Sequence, residues 1–81
     1  MKALLYSKDN CPSCVKAKAL LTRNNIAYEE VTIGKDILRE DFLSDFPEQR
    51  TVPLIFVEGE KVSGYENLVE WFNNRKQFLA G

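Results

Sequence analysis

The stretch Tyr6–Leu21, YSKDNCPSCVKAKALL, contains both cysteines of the chain, in the order Cys11-Pro12-Ser13-Cys14. Two thiols at this spacing have three common uses: a disulfide that staples a small fold, half of a metal site, or a pair that exchanges electrons. A staple is a weak explanation, because a bond between such close positions closes a very small loop and restrains the unfolded chain little.

Metal binding is limited by the supply of ligands. A structural zinc ion takes four nitrogen or sulfur ligands, whereas the chain has two cysteines and no histidine. A zinc site would need carboxylates or a second chain. We therefore expect no metal site and favour electron transfer.

Length and composition narrow the class of protein. The chain has 81 residues, of which 44% are hydrophobic and 28% charged, and its formal net charge is -1. This size predicts one domain over residues 1–81, and the charge gives no reason to expect a nucleic-acid or membrane partner. No apolar run approaches the ~20 residues of a membrane helix, and the N-terminal apolar run is too short for a secretory signal. We expect a cytoplasmic monomer.

Hydrophobic periodicity predicts alternating strands and helices. Strands are expected at residues 2–6, 28–33, 54–57 and 60–62, the last two joined by a Glu58-Gly59 turn. A strand–helix–strand start implies a parallel pair with a right-handed crossover, and the hairpin adds antiparallel strands. The order β-α-β-α-β-β-α predicts an α/β fold with a four-stranded mixed sheet flanked by three helices.

Three helices follow from apolar stripes and helix-end signals. The first begins at the motif, with Pro12 in the first position and an end at Asn24-Asn25. The second is expected to be capped by Asp36 and to end before Pro47. The third starts within residues 63–67, capped by Ser63 with Glu66 or by Asn67. The inward residues of these helices are expected to be Cys14, Ala17, Leu20 and Leu21; Leu38, Phe42 and Phe46; and Leu68, Val69 and Phe72.

The helix that begins at the motif separates the roles of the two thiols. The thiolate is the nucleophile in disulfide exchange. Cys11 lies at the helix N-cap, where unpaired N–H groups and the helix dipole favour a negative charge, so its pKa should be depressed. Lys8, Lys16 and Lys18 either add to this effect or form a solvated surface. Cys14 lies on the buried stripe and is expected to resolve the mixed disulfide.

Four blocks, in this order, make the sequence similar to a known family: Tyr6-Ser7-Lys8 leading into Cys11-Pro12-Ser13-Cys14, Ala17–Leu21, Thr51-Val52-Pro53, and Ser63–Leu68. The chain resembles a small dithiol glutaredoxin over nearly its whole length. The resemblance implies a thioredoxin-like fold and a glutathione-dependent disulfide oxidoreductase. It implies glutathione as co-substrate without a tightly bound cofactor, and protein partners such as ribonucleotide reductase and the glutathione reductase system.

The resemblance also implies roles for individual residues. Cys11 becomes the nucleophile and Cys14 the resolving thiol. Pro53 becomes a cis proline, which the residues alone leave open, and Val52 pairs with the main chain of the bound peptide. The remaining residues divide between the two ends of glutathione: Lys8 with Gln49 or Arg50 for the glycine carboxylate, and Gly64, Tyr65 and Glu66 for the γ-glutamyl end.

Three positions depart from the usual glutaredoxin pattern. Ser13 replaces a tyrosine that packs on bound glutathione, Ser63-Gly64 replaces a Gly-Gly pair, and Glu66 replaces an aspartate. Ser63-Gly64 followed by the aromatic Tyr65 also resembles the glutaredoxin-like redoxins that take electrons from thioredoxin reductase, which is the second hypothesis. A third is a module that binds an iron–sulfur cluster with glutathione, against which Pro12 argues.

Overall fold

The computed structural model describes residues 2–80, with side chains for residues 2–74. The strands are β1 (Lys2–Ser7), β2 (Ala27–Thr32), β3 (Leu54–Val57) and β4 (Glu60–Ser63), and the helices are α1 (Pro12–Arg23), α2 (Arg39–Asp45) and α3 (Tyr65–Ala80). The order of elements confirms the prediction of β-α-β-α-β-β-α.

The four strands form one mixed sheet in the order β2-β1-β3-β4. β1 pairs in parallel with β2 and antiparallel with β3, and β3 pairs antiparallel with β4. Leu5, in the middle of β1, lies opposite Glu30 on one side and Ile55 on the other. The first strand of the chain is therefore an inner strand, and its C-terminal end leads directly into the cysteine motif.

Helix α1 begins and ends where local signals predict. Cys11 is the N-cap in an extended conformation, Pro12 follows as the first helical residue, and Asn24 is the C-cap. Proline is suited to the first position because the N–H it lacks would have no partner there. Asn25 then takes a φ of 59°, a left-handed conformation that asparagine tolerates better than most residues.

The two faces of the sheet carry different cores because side chains alternate along each strand. On one face, Leu5 and Ile55 are fully buried and contact the apolar stripes of α1 and α3. The members of this core are Ala3, Leu5, Ala17, Leu21, Ile26, Ile55, Val57, Val62, Leu68 and Phe72. The predicted inward residues of α1 and α3 are confirmed, with Leu20 and Val69 only partly buried.

The other face is covered by α2 through an aromatic cluster. The Tyr6 ring lies 5.2 Å from that of Phe42, 5.4 Å from that of Phe46 and 6.5 Å from that of Phe56, measured between centroids. Phe42 and Phe46 also contact each other, at 5.3 Å. Tilted and edge-on contacts of this kind are favourable for aromatic rings, so these rings help to hold this short helix to the sheet.

The predicted start of α2 is wrong. Asp36 does not cap the helix, because its carboxylate accepts the backbone N–H of Thr32 at 2.9 Å within the preceding loop. The N-cap is Leu38, which has no side-chain capping bond. Leu38 was also expected to face inward, but 64% of it is exposed. The helix starts later than the acidic residue suggests, since that residue closes its own turn.

The predicted caps of α3 are also wrong. The Ser63 hydroxyl hydrogen-bonds with the Gln49 side chain, and the Asn67 side chain donates back to the Ser63 carbonyl at 2.6 Å. Gly64 precedes the helix, with a φ of +90° that favours glycine, and its carbonyl accepts the N–H of Leu68. Among the described residues, no helix combines the length and the apolar character needed to cross a membrane.

Candidate active site around the Cys11–Cys14 disulfide

Cys11 and Cys14 form a disulfide at the start of α1, with 5.3 Å between their Cα atoms. Cys14 is buried at 1% exposure, whereas Cys11 is half-buried. The Cys14 backbone N–H donates to Cys11 Sγ at 3.2 Å. Cys11 is thus the accessible sulfur, and a backbone donor at the helix N-terminus points at it.

The Val52–Pro53 peptide bond is cis, as the family resemblance implied. The Val52 carbonyl oxygen lies 4.0 Å from Cys11 Sγ, and Pro53 is fully buried. The Pro53 carbonyl accepts the N–H of Gly64 at 2.9 Å. The loop before β3 therefore joins the cysteine motif to the start of α3.

A cavity of about 390 Å³ opens between the motif and the start of α3, and we call it the α3 cavity. Its walls include Ser13 and Lys16 from α1, Val52 from the loop, and the predicted residues Gly64, Tyr65 and Glu66. Lys16 Nζ lies 5.9 Å from the centroid of the Tyr65 ring, a favourable cation–π distance. This cavity combines a cation, a ring and a carboxylate beside the disulfide.

A second cavity, of about 450 Å³, lies on the other side of Val52 and is called the α2 cavity. Lys8, Gln49 and Arg50 all line it, so the structure brings together the three residues predicted for the glycine carboxylate. Gln49 is buried at 7% exposure, and its amide donates to the Thr51 carbonyl at 2.7 Å and to the Ser63 hydroxyl at 2.9 Å. The amide of Gln49 therefore holds the loop, and Lys8 and Arg50 remain as exposed cations.

Sequence reasoning missed a polar cluster beside the disulfide. Glu30 Oε2 accepts a hydrogen bond from the buried Ser7 hydroxyl at 2.6 Å and from Lys18 Nζ at 3.0 Å. The hydrogen bond from Ser7, followed by that from Lys18, holds the pKa of Glu30 below its ordinary value. These three residues line a cavity of about 560 Å³, the α1 cavity, together with Cys11 and Cys14.

The surroundings of Lys18 change its interpretation. The sequence allowed either a solvated lysine or one that favours the Cys11 thiolate. In the structure only 28% of its side chain is exposed, and its charge is offset by Glu30. Two features of the sequence could have indicated the Ser7–Glu30–Lys18 cluster. Ser7 ends the apolar run of β1, and the acidic residues Glu29 and Glu30 interrupt the alternation of β2.

A family model described as glutaredoxin matches residues 3–62. The chain belongs to the glutaredoxin family. As a glutaredoxin it is a thiol-disulfide oxidoreductase, and the resemblance read from the four sequence blocks is confirmed. Its cysteine pair, cis proline and α3 cavity are thus parts of a redox protein with a thioredoxin-like fold.

Individual relatives agree with this assignment. Glutaredoxin 1 of Rickettsia prowazekii is 36% identical over 76 residues, which cover 91% of this glutaredoxin and 77% of the relative. Glutaredoxin 1 of Francisella tularensis, solved with cacodylate, gives a TM-score of 0.73 at 30% identity and covers 99% of this chain and 98% of that chain. A buckwheat glutaredoxin solved with glutathione gives a TM-score of 0.75 at 24% identity, covering 91% and 70% of the two chains.

Proposed function

We propose that this glutaredoxin reduces protein disulfides and glutathione mixed disulfides with glutathione as its electron donor. The observation that carries the proposal is the arrangement of charge around Cys11. Lys8 and Arg50 line the cavity on one side of Val52, and Glu66 lines the cavity on the other side. Glutathione has a carboxylate at its glycine end and an ammonium at its γ-glutamyl end, so the two ends find complementary partners.

In this proposal the bound tripeptide extends across Val52. Its cysteine lies next to Cys11, and its main chain pairs with the Val52 backbone. The α-carboxylate of the γ-glutamyl end lies at the start of α3, where free N–H groups favour an anion. Glu66 holds the α-ammonium. Because Ser13 supplies no ring, the Tyr65 ring is the aromatic wall available in the α3 cavity.

The proposed chemistry is a sequence of thiolate–disulfide exchanges. The Cys11 thiolate attacks the glutathione sulfur of a mixed disulfide, the substrate thiol leaves as a thiolate, and a Cys11–glutathione disulfide forms. A second glutathione thiolate attacks that disulfide, which releases oxidised glutathione and restores the Cys11 thiolate. With a protein disulfide, the Cys11 thiolate first forms a mixed disulfide with one protein cysteine and releases the other as a thiolate. Cys14 then attacks Cys11, which releases the second protein thiolate, and two glutathione molecules later reduce the Cys11–Cys14 disulfide.

Burial supports this division of roles. The half-buried Cys11 sulfur is open to substrate, whereas Cys14 is buried and bonded to Cys11. The buckwheat relative, solved as a glutathione complex, shares the fold and adds support for the donor. We extend the proposal to ribonucleotide reductase as one protein target and to a cytoplasmic location, since glutathione keeps thiols reduced in that compartment.

A coupled NADPH assay on a small disulfide, run with two electron sources, tests the donor. One reaction contains glutathione and glutathione reductase, and the other contains thioredoxin reductase. We expect turnover with glutathione. Turnover with thioredoxin reductase alone would refute the donor and select the second candidate, which the replacement of a tyrosine by Ser13 favours.

Two variants test the roles of the cysteines in the same assay. Cys11→Ser should abolish all turnover, because it removes the nucleophile. Cys14→Ser should keep reduction of glutathione mixed disulfides, which needs one thiol, and lose reduction of protein disulfides. Equal loss of both activities in the two variants would contradict the assignment.

A further inference from the structure

The α2 cavity has features that a bound tripeptide does not use. Besides Lys8 and Arg50, it is lined by Arg39 and by the apolar side chains of Phe42 and Leu43. We propose that this cavity binds the segment that follows the reactive cysteine of a protein substrate, and that it selects a segment with acidic residues around an apolar one. The inference rests on disulfide exchange at Cys11 and extends the proposed function to the choice of protein partner.

Charge is the first argument for this occupant. Lys8, Arg39 and Arg50 line one cavity that has no carboxylate among its lining residues, although the chain as a whole has a net charge of -1. Glu40 and Asp41 follow Arg39 along the chain but are not part of this lining. Within residues 2–74, none of the three cations forms a salt bridge. Unpaired cations on one wall attract and orient an anionic partner.

The apolar floor is the second argument. Phe42 is buried at 3% exposure, and Ile33 and Leu43 are half-buried beside it. A glutathione glycine has no side chain to place there. A leucine or phenylalanine side chain would remove from water its own surface and the exposed parts of Ile33 and Leu43, which is favourable in proportion to the area covered. The occupant therefore carries an apolar side chain near its acidic groups.

Continuity with the reacting sulfur is the third argument. Val52 lines both the α2 and the α3 cavity, and its carbonyl oxygen lies 4.0 Å from Cys11 Sγ. Lys8 lines both the α2 and the α1 cavity. A peptide whose cysteine reaches Cys11 and whose main chain follows Val52 therefore enters the α2 cavity directly. Arg39, from the first turn of α2, then meets residues that a tripeptide lacks.

The test uses protein reduced beforehand with dithiothreitol, so that the result does not depend on the electron donor. The substrates are mixed disulfides of 2-thiopyridine with glutathione, with Cys-Gly-Asp-Leu-Asp and with Cys-Gly-Lys-Leu-Lys. The Cys11 thiolate attacks the peptide sulfur, the sulfur–sulfur bond breaks, and pyridine-2-thione leaves with the electron pair. Absorbance of the released thione gives the second-order rate constant for each peptide.

We expect the wild-type protein to prefer the acidic peptide and to lose that preference in high salt, which screens exposed charges. Arg39→Gln should slow the acidic peptide about 1.5- to fivefold, the range for one exposed charge pair. It should leave the glutathione substrate unchanged and not slow the lysine peptide. Arg39→Glu should reduce the preference further than Arg39→Gln does, although Lys8 and Arg50 remain in the cavity, and an acid is compatible with the first turn of a helix.

Arg23→Gln is the matched control. It removes the same charge, but Arg23 lies in the last turn of α1 and does not line the α2 cavity. It should change the two peptides little. A peptide with serine in place of leucine tests the floor and should react about five- to tenfold more slowly. Equal effects of Arg39→Gln and Arg23→Gln, or equal rates for the acidic and lysine peptides, would overturn the proposal.

The outcome is separable from that of the coupled assay. If the peptides are discriminated as described but glutathione fails to drive turnover, the proposed donor is wrong and the docking site remains. If glutathione drives turnover and the peptides are not discriminated, the docking site is wrong and the proposed donor remains.

Discussion

Glu29 and Glu30 are neighbours in β2 with different surroundings. Glu29 pairs with Lys2 at 3.8 Å, and the two side chains are 71% and 75% exposed. Glu30 accepts hydrogen bonds from the buried Ser7 and from Lys18. An exposed ion pair contributes little to stability, whereas a carboxylate with two close donors contributes more. The same residue type therefore has two different effects one position apart.

We predict that Glu30→Gln lowers the free energy of unfolding at neutral pH by about 1 kcal/mol, through loss of charge-assisted hydrogen bonds. The pKa of Glu30 in the folded protein lies below its ordinary value of 4.5, mainly because of the bond from Ser7. The stabilisation is therefore complete above that ordinary value and is lost as the pH falls through the folded-state pKa.

Urea denaturation of both proteins at several pH values measures this effect. The difference between wild type and Glu30→Gln should shrink as the pH falls below 4.5, the ordinary value for this carboxyl. Glu29→Gln is the control and should show only a small difference at all of these values. A difference for Glu30→Gln that stays constant down to acid pH would contradict the role of its charge.

At the scale of single residues, the positions that could be predicted from the sequence are those that depend on residues close by along the chain. Cys11, Pro12 and Cys14 lie within one helical turn, so their arrangement follows from local signals. The partnership of Ser7 with Glu30 joins residues far apart in sequence through the pairing of β1 with β2. A residue pattern does not give that register, and so this cluster was missed.

Among the helices, α1 was predicted correctly, whereas the start of α2 and the caps of α3 were not. α1 has its own local signals at both ends. In α2 the expected cap, Asp36, is used by its own turn. In α3 the expected cap, Ser63, is used by Gln49 from another loop. The predicted caps were wrong where a polar side chain had a competing partner elsewhere.

The missing cap on α2 leads to a prediction about stability. Leu38 has the extended conformation of an N-cap, with φ -72° and ψ 146°, but no side-chain acceptor. Leu38→Ser supplies one for the free N–H groups of the first turn. We expect a gain of about 1 kcal/mol and a rise in Tm of about 4–8 °C.

Thermal unfolding followed by circular dichroism measures the change in Tm. Val15→Ser is the control, because Val15 is also an exposed apolar residue, at 60%, but lies inside α1. Serine there provides no cap and should give no gain. If both variants raise Tm equally, the gain comes from lost apolar exposure and the capping explanation is wrong.

At the scale of the whole molecule, the sheet was predicted because its strands have clear boundaries and its connections follow general rules. The cavities could not be predicted. The α2 cavity forms where the loop after β2, helix α2 and the loop before β3 meet. Its shape depends on how these segments pack. Lys8 and Arg50 were predicted through the family resemblance, whereas Arg39 had no signal in the sequence.

The stability of the fold depends strongly on Leu5, a side chain of the inner strand β1. Leu5 is fully buried in the core shared by α1 and α3. We expect Leu5→Ala to lower the free energy of unfolding by about 2–5 kcal/mol, because it removes buried surface and leaves a cavity. Urea denaturation measures the loss. Leu38→Ala, the same change at a residue that is 64% exposed, should change stability little, and a comparable loss there would contradict the explanation.

The two outer strands determine how the molecule meets copies of itself. β2 and β4 form the free edges of the sheet. Exposed Glu29 and Glu30 lie on one edge, and exposed Glu60 and Lys61 on the other, in a strand of only four residues. Short and charged edges resist strand addition and aggregation. We expect light scattering to find single molecules even in concentrated solution, and association promoted by Glu29→Val but not by Glu40→Val on α2.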